Sequence, residues 1–172
     1  GTTGFPKGVM ISHNAFCSSQ LAALGLLERS CTMLRSAPMF HMADLALGYV
    51  GILQNASHVI IPAFQPKQAL ETIERYRVDS MLLVPTMIQM LVYHPDARQH
   101  DIGSLKTLIY GASPIQEQVL LDVLQLVPGL QLYQAYGQTE MAPIVTLLGP
   151  AQHSAEGAAK GLLRSCGRPT AV

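Results

Sequence analysis

The stretch PKQALETIERYRVDSMLLVPTMIQMLVY, residues 66–93, decides the fold class of this chain. Its first part predicts a helix over Pro66–Tyr76, because apolar residues recur on one helical face and proline suits the first turn. The short apolar run Ser80–Val84 then predicts a buried strand, and Thr86–Tyr93 predicts another helix. Buried strands that alternate with helices are typical of an α/β fold.

The same alternation extends along the chain in both directions, which predicts a mostly parallel β-sheet flanked by helices. The other predicted strands are Val9–Ser12, Thr32–Ala37, His58–Ile61, Leu105–Ile109 and Leu130–Ala135. Further helices are predicted at Asn14–Leu27 and Met42–Leu53.

The last predicted helix has the clearest end signals. Ser113-Pro114-Ile115-Gln116 matches a capping box with proline at the first helical position, and Pro128-Gly129 ends the helix. Beyond it, residues 149–161 are rich in Ala, Gly, Ser and Gln and predict a mobile surface loop.

Composition narrows the class of protein. The 172 residues are 49% hydrophobic and 13% charged, which suits the core of one large domain. Formal net charge is zero and the basic residues are dispersed, which argues against a nucleic-acid partner. No apolar run in the sequence has the length of a transmembrane segment. The cysteines Cys17, Cys31 and Cys166 are widely spaced, which predicts reduced thiols and a cytoplasmic location.

The chain opens on Gly1-Thr2-Thr3-Gly4-Phe5-Pro6-Lys7-Gly8, a turn rich in glycine and hydroxyl groups. Glycines let backbone N–H groups approach an anion, threonine hydroxyls donate further hydrogen bonds, and Lys7 adds a positive charge. The common P-loop has Ser or Thr after its lysine, whereas Gly8 stands there in this chain. A bare Gly-x-x-Gly would be explained by an ordinary exposed turn, but the added threonines and lysine favour a triphosphate site.

Unusual residues collect where the predicted strands end, which is where open parallel sheets bind ligands. The segments there are Pro38-Met39-Phe40-His41, Pro85-Thr86, Tyr110-Gly111-Ala112-Ser113-Pro114 and Tyr136-Gly137-Gln138-Thr139-Glu140. Taken singly, His41 is explained as a loop histidine, Ser113 as a helix cap and Glu140 as a solvated carboxylate. Their joint placement at one edge predicts a ligand site.

Nucleotide chemistry accounts for this set of residues. Mg²⁺ prefers carboxylate and phosphate oxygens, and Glu140 is the sole candidate carboxylate of that edge. Tyr136 offers an aromatic face for a purine, while Gly111 and Ala112 are too small to block its opposite side.

These motifs, in their order and approximate spacing, resemble those of the adenylate-forming enzymes, which include acyl-CoA synthetases, firefly luciferase and peptide-synthetase adenylation domains. The resemblance covers essentially the whole chain. It implies that residues 1–172 are a single α/β piece of a larger AMP-binding N-terminal domain, cut at both ends. It also implies that the protein uses ATP, magnesium and coenzyme A.

The resemblance implies a role for each site residue. The residues implied to bind the nucleotide are Thr2, Thr3, Gly4 and Lys7 at the β- and γ-phosphates, Gly111, Ala112 and Ser113 at adenine, Tyr136 stacked on the ring, Thr139 toward the phosphates, and Gly137 and Gln138 beside them in the same motif. Glu140 is implied to ligate magnesium. His41 is implied to gate the carboxylate end of an acyl pocket, with Met39, Phe40 and Ala142 as neighbours. The implied catalytic residues are Lys7, His41, Thr139 and Glu140.

The implied reaction has two half-reactions. A carboxylate attacks the α-phosphorus of ATP to form an acyl-adenylate and pyrophosphate, and the thiol of coenzyme A then displaces AMP. Positioned donors and magnesium stabilise the developing charge, so that no covalent nucleophile is needed.

The segment Pro38–His41 is similar to the acyl-CoA synthetases, whereas amino-acid-activating relatives usually carry Phe-Asp in this region. A fatty or other apolar carboxylic acid is therefore the expected substrate. Asp44 lies three residues beyond His41 and is interpreted as a helix-start carboxylate.

Some parts of the family's site would lie outside the chain, before Gly1 and beyond Val172. The 172 residues alone are therefore expected to show little or no adenylation. Two alternatives stay open: a non-catalytic nucleotide-binding relative, against which Lys7 and Glu140 speak, and an aryl-acid or amino-acid adenylating enzyme that loads a carrier-protein thiol.

Overall fold

The strands assemble into one mixed sheet. A computed structural model describes residues 4–170, and within that range seven strands pair in a single sheet. The strands are β1 (Thr32–Arg35), β2 (Ser57–Ile60), β3 (Ser80–Leu83), β4 (Thr107–Gly111), β5 (Gln131–Gly137), β6 (Ile144–Leu148) and β7 (Arg168–Pro169). Their spatial order is β2-β1-β3-β4-β5-β6-β7.

Helices connect the parallel strands. They are α1 (His13–Ala22), α2 (Met42–Leu53), α3 (Pro66–Tyr76), α4 (Pro85–Val92), α5 (Glu117–Leu126) and α6 (Ala155–Ala159). Short 3-10 turns lie at Leu24–Leu26, Thr139–Met141, Pro150–His153 and Leu162–Arg164. The predicted α/β class is confirmed, and α2 and α3 have the predicted bounds.

Strand direction places the candidate residues together. β1 to β5 run parallel, whereas β6 and β7 each run antiparallel to the preceding strand. The carboxyl ends of β1, β3, β4 and β5 therefore meet at one edge of the sheet. The β5–β6 pairing is irregular between Tyr136 and Gly137, where the chain leaves the sheet.

The two faces of the sheet carry apolar clusters of different size. One face packs against α3, α4 and α5 in a large apolar cluster that contains Leu70, Leu108 and Leu120. The other face lies under α2, against which α1 packs, and its smaller cluster contains Leu47 and Ile109. Leu108 and Ile109 point to opposite faces because side chains alternate along a strand. The smaller cluster leaves room for a cavity.

The predicted strand Val9–Ser12 is wrong, because this segment pairs with no strand in the part of the chain that the structure describes. Met10 is fully exposed, and Ser12 caps α1 by accepting a hydrogen bond from the backbone N–H of Ala15 at 3.1 Å. A short apolar run without a neighbouring strand has no partner for its backbone groups.

The capping box predicted at Ser113 is also wrong. α5 begins at Glu117 with Gln116 as its N-cap, and no side chain caps it. Ala112 adopts a left-handed φ of 68°, which turns the chain away from a helical path directly after β4.

Residues 149–161, predicted as a mobile surface loop, contain a 3-10 turn and the short helix α6. Ser154 caps α6 by accepting from the N–H of Gly157 at 3.2 Å, and His153 is buried. His153 contacts the rest of the fold, and this contact orders a segment whose composition alone would indicate a loop.

Across residues 4–170, no helix combines the length and apolar character that a membrane span requires. The three cysteines are free, with Cys31 buried and Cys17 and Cys166 exposed.

Candidate active site

An apolar cavity of about 340 Å³ opens at the carboxyl ends of the parallel strands. Side chains from one face of the sheet, such as Ile109 and Ala135, form one side, and Leu47 and Val50 of α2 form the other. We call it the apolar cavity. Its full lining is Ala23, Leu26, Ala37, Pro38, His41, Met42, Ala43, Asp44, Leu47, Val50, Leu82, Leu83, Val84, Met87, Ile109, Tyr110, Gly111, Ala112, Ala135, Tyr136, Gly137, Gln138, Thr139, Pro143 and Ile144.

The structure brings most of the predicted edge residues to this one cavity, although they come from three separate segments. The predicted site residues among its lining are His41, Gly111, Ala112, Tyr136, Gly137, Gln138 and Thr139. His41 arrives through the N-cap position of α2, and the others follow β4 or belong to the end of β5 and the turn after it.

A second cavity of about 800 Å³ lies on the other side of the β4 and β5 ends. Its lining is Tyr110, Ala112, Ser113, Pro114, Ile115, Gln116, Glu117, Gln134, Tyr136, Gly137, Leu163, Arg164, Ser165 and Cys166. Ser113 therefore lies in this cavity and not in the apolar one. Four residues belong to both linings and form a shared wall: Tyr110, Ala112, Tyr136 and Gly137.

The shared wall depends on a close approach between neighbouring strands. A Cβ at Gly111 would lie 3.2 Å from the carbonyl carbon of Ala135 and would overlap its oxygen. Glycine at this position is therefore required by strand packing, independently of any ligand.

Tyr136 is 44% exposed, so its ring is open to a ligand as well as to solvent.

Other predicted residues do not line either cavity. Gly4 and Lys7 are exposed, and Glu140 is exposed in the 3-10 turn after β5. Thr2 and Thr3 lie outside the described residues. The structure thus brings Thr139, but neither Lys7 nor Glu140, into the lining of the apolar cavity.

The predicted neighbours of His41 are divided in the same way. Met39 and Phe40 are exposed and line neither cavity, although the Phe40 and His41 ring centroids are 4.9 Å apart. Ala142 is buried at the end of the 3-10 turn and adopts a left-handed φ of 59°.

Asp44 is part of a buried ion pair, which the sequence interpretation missed. Its Oδ2 accepts hydrogen bonds from Nε of Arg35 at 3.0 Å and from Nη2 at 2.5 Å. The two side chains are 2% and 9% exposed, so each charge is matched only by the other and by nearby dipoles. The helix-start position of Asp44 is as predicted, but its carboxylate is already occupied by a guanidinium. The sequence did contain one signal of such a pair: Arg35 is a charged residue within the apolar run of β1.

His58 of β2 completes this cluster. Nη1 of Arg35 lies 3.2 Å from its Nδ1. Burial, and then the charge of Arg35, lower the pKa of His58, which favours the neutral ring that accepts this hydrogen bond.

Tyr110 and His153 form a buried hydrogen bond behind the shared wall. Burial raises the pKa of Tyr110, and burial lowers the pKa of His153, so both groups are held uncharged. Nothing in the local sequence around His153 marks it for this role.

Carboxylate oxygens suited to magnesium are present at Glu140. Within residues 4–170, no group of three or more His, Cys, Asp or Glu side chains forms a ready metal site. No hydrogen bond or ion pair between described residues occupies the Glu140 carboxylate. The donor set therefore fits a cation whose remaining ligands are phosphate oxygens and water.

Comparison with known proteins adds a family to this geometry. Residues 1–172 match the AMP-binding enzyme family. The chain is 32% identical over 172 residues to the medium/long-chain fatty-acid–CoA ligase FadD8 of Mycobacterium tuberculosis, which covers 99% of the chain and 29% of that protein. It is 36% identical over 160 residues to a feruloyl-CoA synthase of an Amycolatopsis species, which covers 91% of the chain and 32% of that protein.

A solved structure shows the same arrangement of elements. The O-succinylbenzoate coenzyme A synthetase of Bacillus subtilis, in complex with ATP and magnesium ion, superposes with a TM-score of 0.81 at 25% identity. The match covers 99% of this chain and 34% of that structure. The chain thus spans about a third of the length of these relatives.

Proposed function

We propose, since the chain belongs to the family of AMP-binding enzymes, that the protein containing it activates a carboxylic acid with ATP and transfers the acyl group to coenzyme A. The observation that carries this proposal is the pair of cavities separated by the shared wall. An acid in one cavity and a nucleotide in the other would meet at the carboxyl ends of β4 and β5, where the reacting groups are needed.

The nucleotide belongs in the second cavity. Ala112 and Ser113 line it with backbone and small side chains, and Tyr136 offers a partly exposed ring for an adenine base. Thr139, which lines the apolar cavity next to the shared wall, and the exposed Lys7 would donate to the phosphates where these extend past the wall, with Gly4, Thr2 and Thr3 from the start of the chain. ATP complexed with magnesium in the Bacillus subtilis synthetase supports this ligand.

Glu140, together with phosphate oxygens, would hold a magnesium ion, which supplies neutralisation of the charge on the phosphates. The role of this chain is to hold the Glu140 carboxylate close to Thr139. Both residues lie in one 3-10 turn directly after β5, which fixes their separation.

The apolar cavity would take the acid, with its carboxylate near His41. Apart from Asp44, its lining contains no Asp, Glu, Lys or Arg, and the charge of Asp44 is matched by Arg35. No carboxylate is therefore available there for a substrate ammonium, which disfavours an amino acid. Fatty and aryl acids both suit such a lining, and the two relatives described above act, by name, on one of each.

The proposed reaction proceeds in two displacements. The carboxylate oxygen attacks the α-phosphorus of ATP and pyrophosphate leaves; the coenzyme A thiol then attacks the acyl carbon, loses its proton, and AMP leaves. The free thiols of the chain support a cytoplasmic location for this chemistry.

Acid-dependent exchange of pyrophosphate into ATP tests the proposal in the complete protein. We expect exchange with straight-chain fatty acids or hydroxycinnamates and none with amino acids. No exchange with any acid would favour the non-catalytic alternative. Adding coenzyme A or a phosphopantetheinylated carrier protein to the loaded enzyme then identifies the acceptor, for which we expect coenzyme A. Residues 1–172 alone should exchange little pyrophosphate, since the relatives are much longer chains.

A further inference from the structure

The Arg35–Asp44 ion pair adjoins the apolar cavity but takes no part in the proposed chemistry. We infer that Asp44 is a positioning residue: clamped by Arg35, it holds the first turn of α2, and with it His41, against the apolar cavity. The inference rests on the proposed function, because it concerns how His41 meets the acid.

Arg35 binds the backbone of Asp44 as well as its charged side chain. Nε and Nη2 of Arg35 donate to Oδ2 of Asp44, and Nη2 also donates to the main-chain oxygen of Asp44 at 2.9 Å. A guanidinium that binds both the side chain and the carbonyl of one residue restricts where that helical turn can lie. A partner needed only for its charge would not require the second contact.

Helix α2 leaves space for the Arg35 guanidinium. Gly48 lies one turn after Asp44, and a Cβ at this position would stand 2.6 Å from Cζ of Arg35. A glycine inside a helix is less favourable than alanine unless its small size is needed. The space that Gly48 provides allows Arg35 to reach Asp44 from β1.

The guanidinium is itself held on its remaining side. Nδ1 of His58 accepts from Nη1 of Arg35 at 3.2 Å, so two neighbouring strands and one helix meet at this group. The low pKa of His58 leaves its ring neutral and able to accept. The cluster therefore fixes α2 relative to the sheet at the helix end that carries His41.

The location of His41 depends on its backbone. Its N–H donates to the carbonyl of Pro38 and its own carbonyl accepts from the N–H of Leu45, each at 3.0 Å. Among the described residues, no hydrogen bond holds its side chain. One turn of helix separates it from Asp44, so a shift of that turn moves the imidazole directly.

The test is Asp44→Asn in the complete protein, assayed by pyrophosphate exchange. We expect the KM for the acid to rise about tenfold or more while the KM for ATP changes less than about twofold, since misplacing a group by about 1 Å can cost more than that. Asp101→Asn is the matched control, because it breaks an exposed ion pair with Arg77 at 2.7 Å. Neither KM should change in that control.

A double variant separates positioning from stability. Replacing both members of a buried ion pair by apolar residues often restores stability. In Arg35→Met/Asp44→Leu we therefore expect the melting temperature of the unmodified protein but a raised KM for the acid. A double variant with the normal acid KM would overturn the inference, even if Asp44→Asn fails to fold. An unmodified protein without acid-dependent exchange would instead contradict the proposed function, and the inference with it.

Discussion

The hydroxyl of Tyr110 lies 2.9 Å from Nε2 of His153 in a buried hydrogen bond. Nδ1 of this histidine is 2.7 Å from the carbonyl oxygen of Gly149, so Nδ1 carries the proton and Nε2 accepts from the tyrosine. The bond joins the shared wall of the two cavities to the helical segment that begins at Pro150.

Replacing His153 by phenylalanine should destabilise the protein. The substitution fills most of the space but leaves the Tyr110 hydroxyl buried without an acceptor, which typically costs about 1–3 kcal/mol. Urea unfolding of the complete protein measures this free energy. The double variant His153→Phe/Tyr110→Phe removes both polar groups and should recover part of the loss. Equal stability of the single variant and the unmodified protein would show that the bond contributes little.

Stability should fall as the pH drops below 6.5, the ordinary pKa of histidine. Burial lowers the pKa of His153 and of His58 in the folded protein. Below pH 6.5 the unfolded chain binds protons that the folded chain excludes, so protons favour unfolding until the folded pKa is reached. Melting temperatures across this range check the sign. His153→Phe and His58→Gln should each reduce the slope, and a stability that rises on acidification would contradict the prediction.

Gly48→Ala should destabilise the protein although alanine favours helices by about 1 kcal/mol. The new methyl group would overlap the Arg35 guanidinium, which could move away only by giving up its hydrogen bonds to Asp44 and His58. Gly25→Ala is the matched control, since nothing lies within 4 Å of a Cβ there. Its stability should change by less than about 0.5 kcal/mol. A Gly48→Ala protein more stable than its parent would mean that the guanidinium shifts easily.

Glu140→Gln should reduce magnesium-dependent pyrophosphate exchange without affecting folding. The side chain is exposed, so its loss leaves no buried group unpaired. Loss of one charge-stabilising group typically lowers kcat about 10²–10³-fold. A titration with magnesium should show a higher concentration at half-maximal rate. Glu71→Gln, exposed on α3, is the control and should keep the parental rate.

Ala23→Phe should narrow the range of acids accepted. Ala23 is 1% exposed and lines the apolar cavity, so a larger side chain would occupy part of its 340 Å³. We expect the KM for long apolar acids to rise tenfold or more, in line with the roughly 2 kcal/mol carried by two or three buried methylenes. Acids with short chains should keep their KM. A uniform change for all lengths would place the acid elsewhere.

The helices of the chain were predictable where local signals agree. Pro66 at the first turn of α3 and the regular apolar face behind it fix both ends, and Met42–Leu53 is bounded as predicted. β6 could not be predicted as a strand from the alternation with helices, because it returns antiparallel beside β5. β7 consists of only Arg168–Pro169 and owes its existence to pairing with β6.

The sequence predicted those site residues whose position follows from the ends of the parallel strands. His41, Ala112 and Thr139 meet because parallel strands end at one edge. The partner of Asp44 could not be read from spacing, since Arg35 reaches it from β1 across the α2–sheet packing. His153 was equally hidden, because its partner Tyr110 is distant in sequence and the contact depends on the whole fold.

The shared wall has a thermodynamic consequence. Tyr110, Ala112, Tyr136 and Gly137 each face both cavities, so a small molecule that shifts any of them from one side alters the shape offered on the other. By linkage, the factor by which one occupant changes the affinity for its neighbour equals the factor in the reverse direction. The order in which the two substrates arrive would then change the path to the ternary complex but not its free energy.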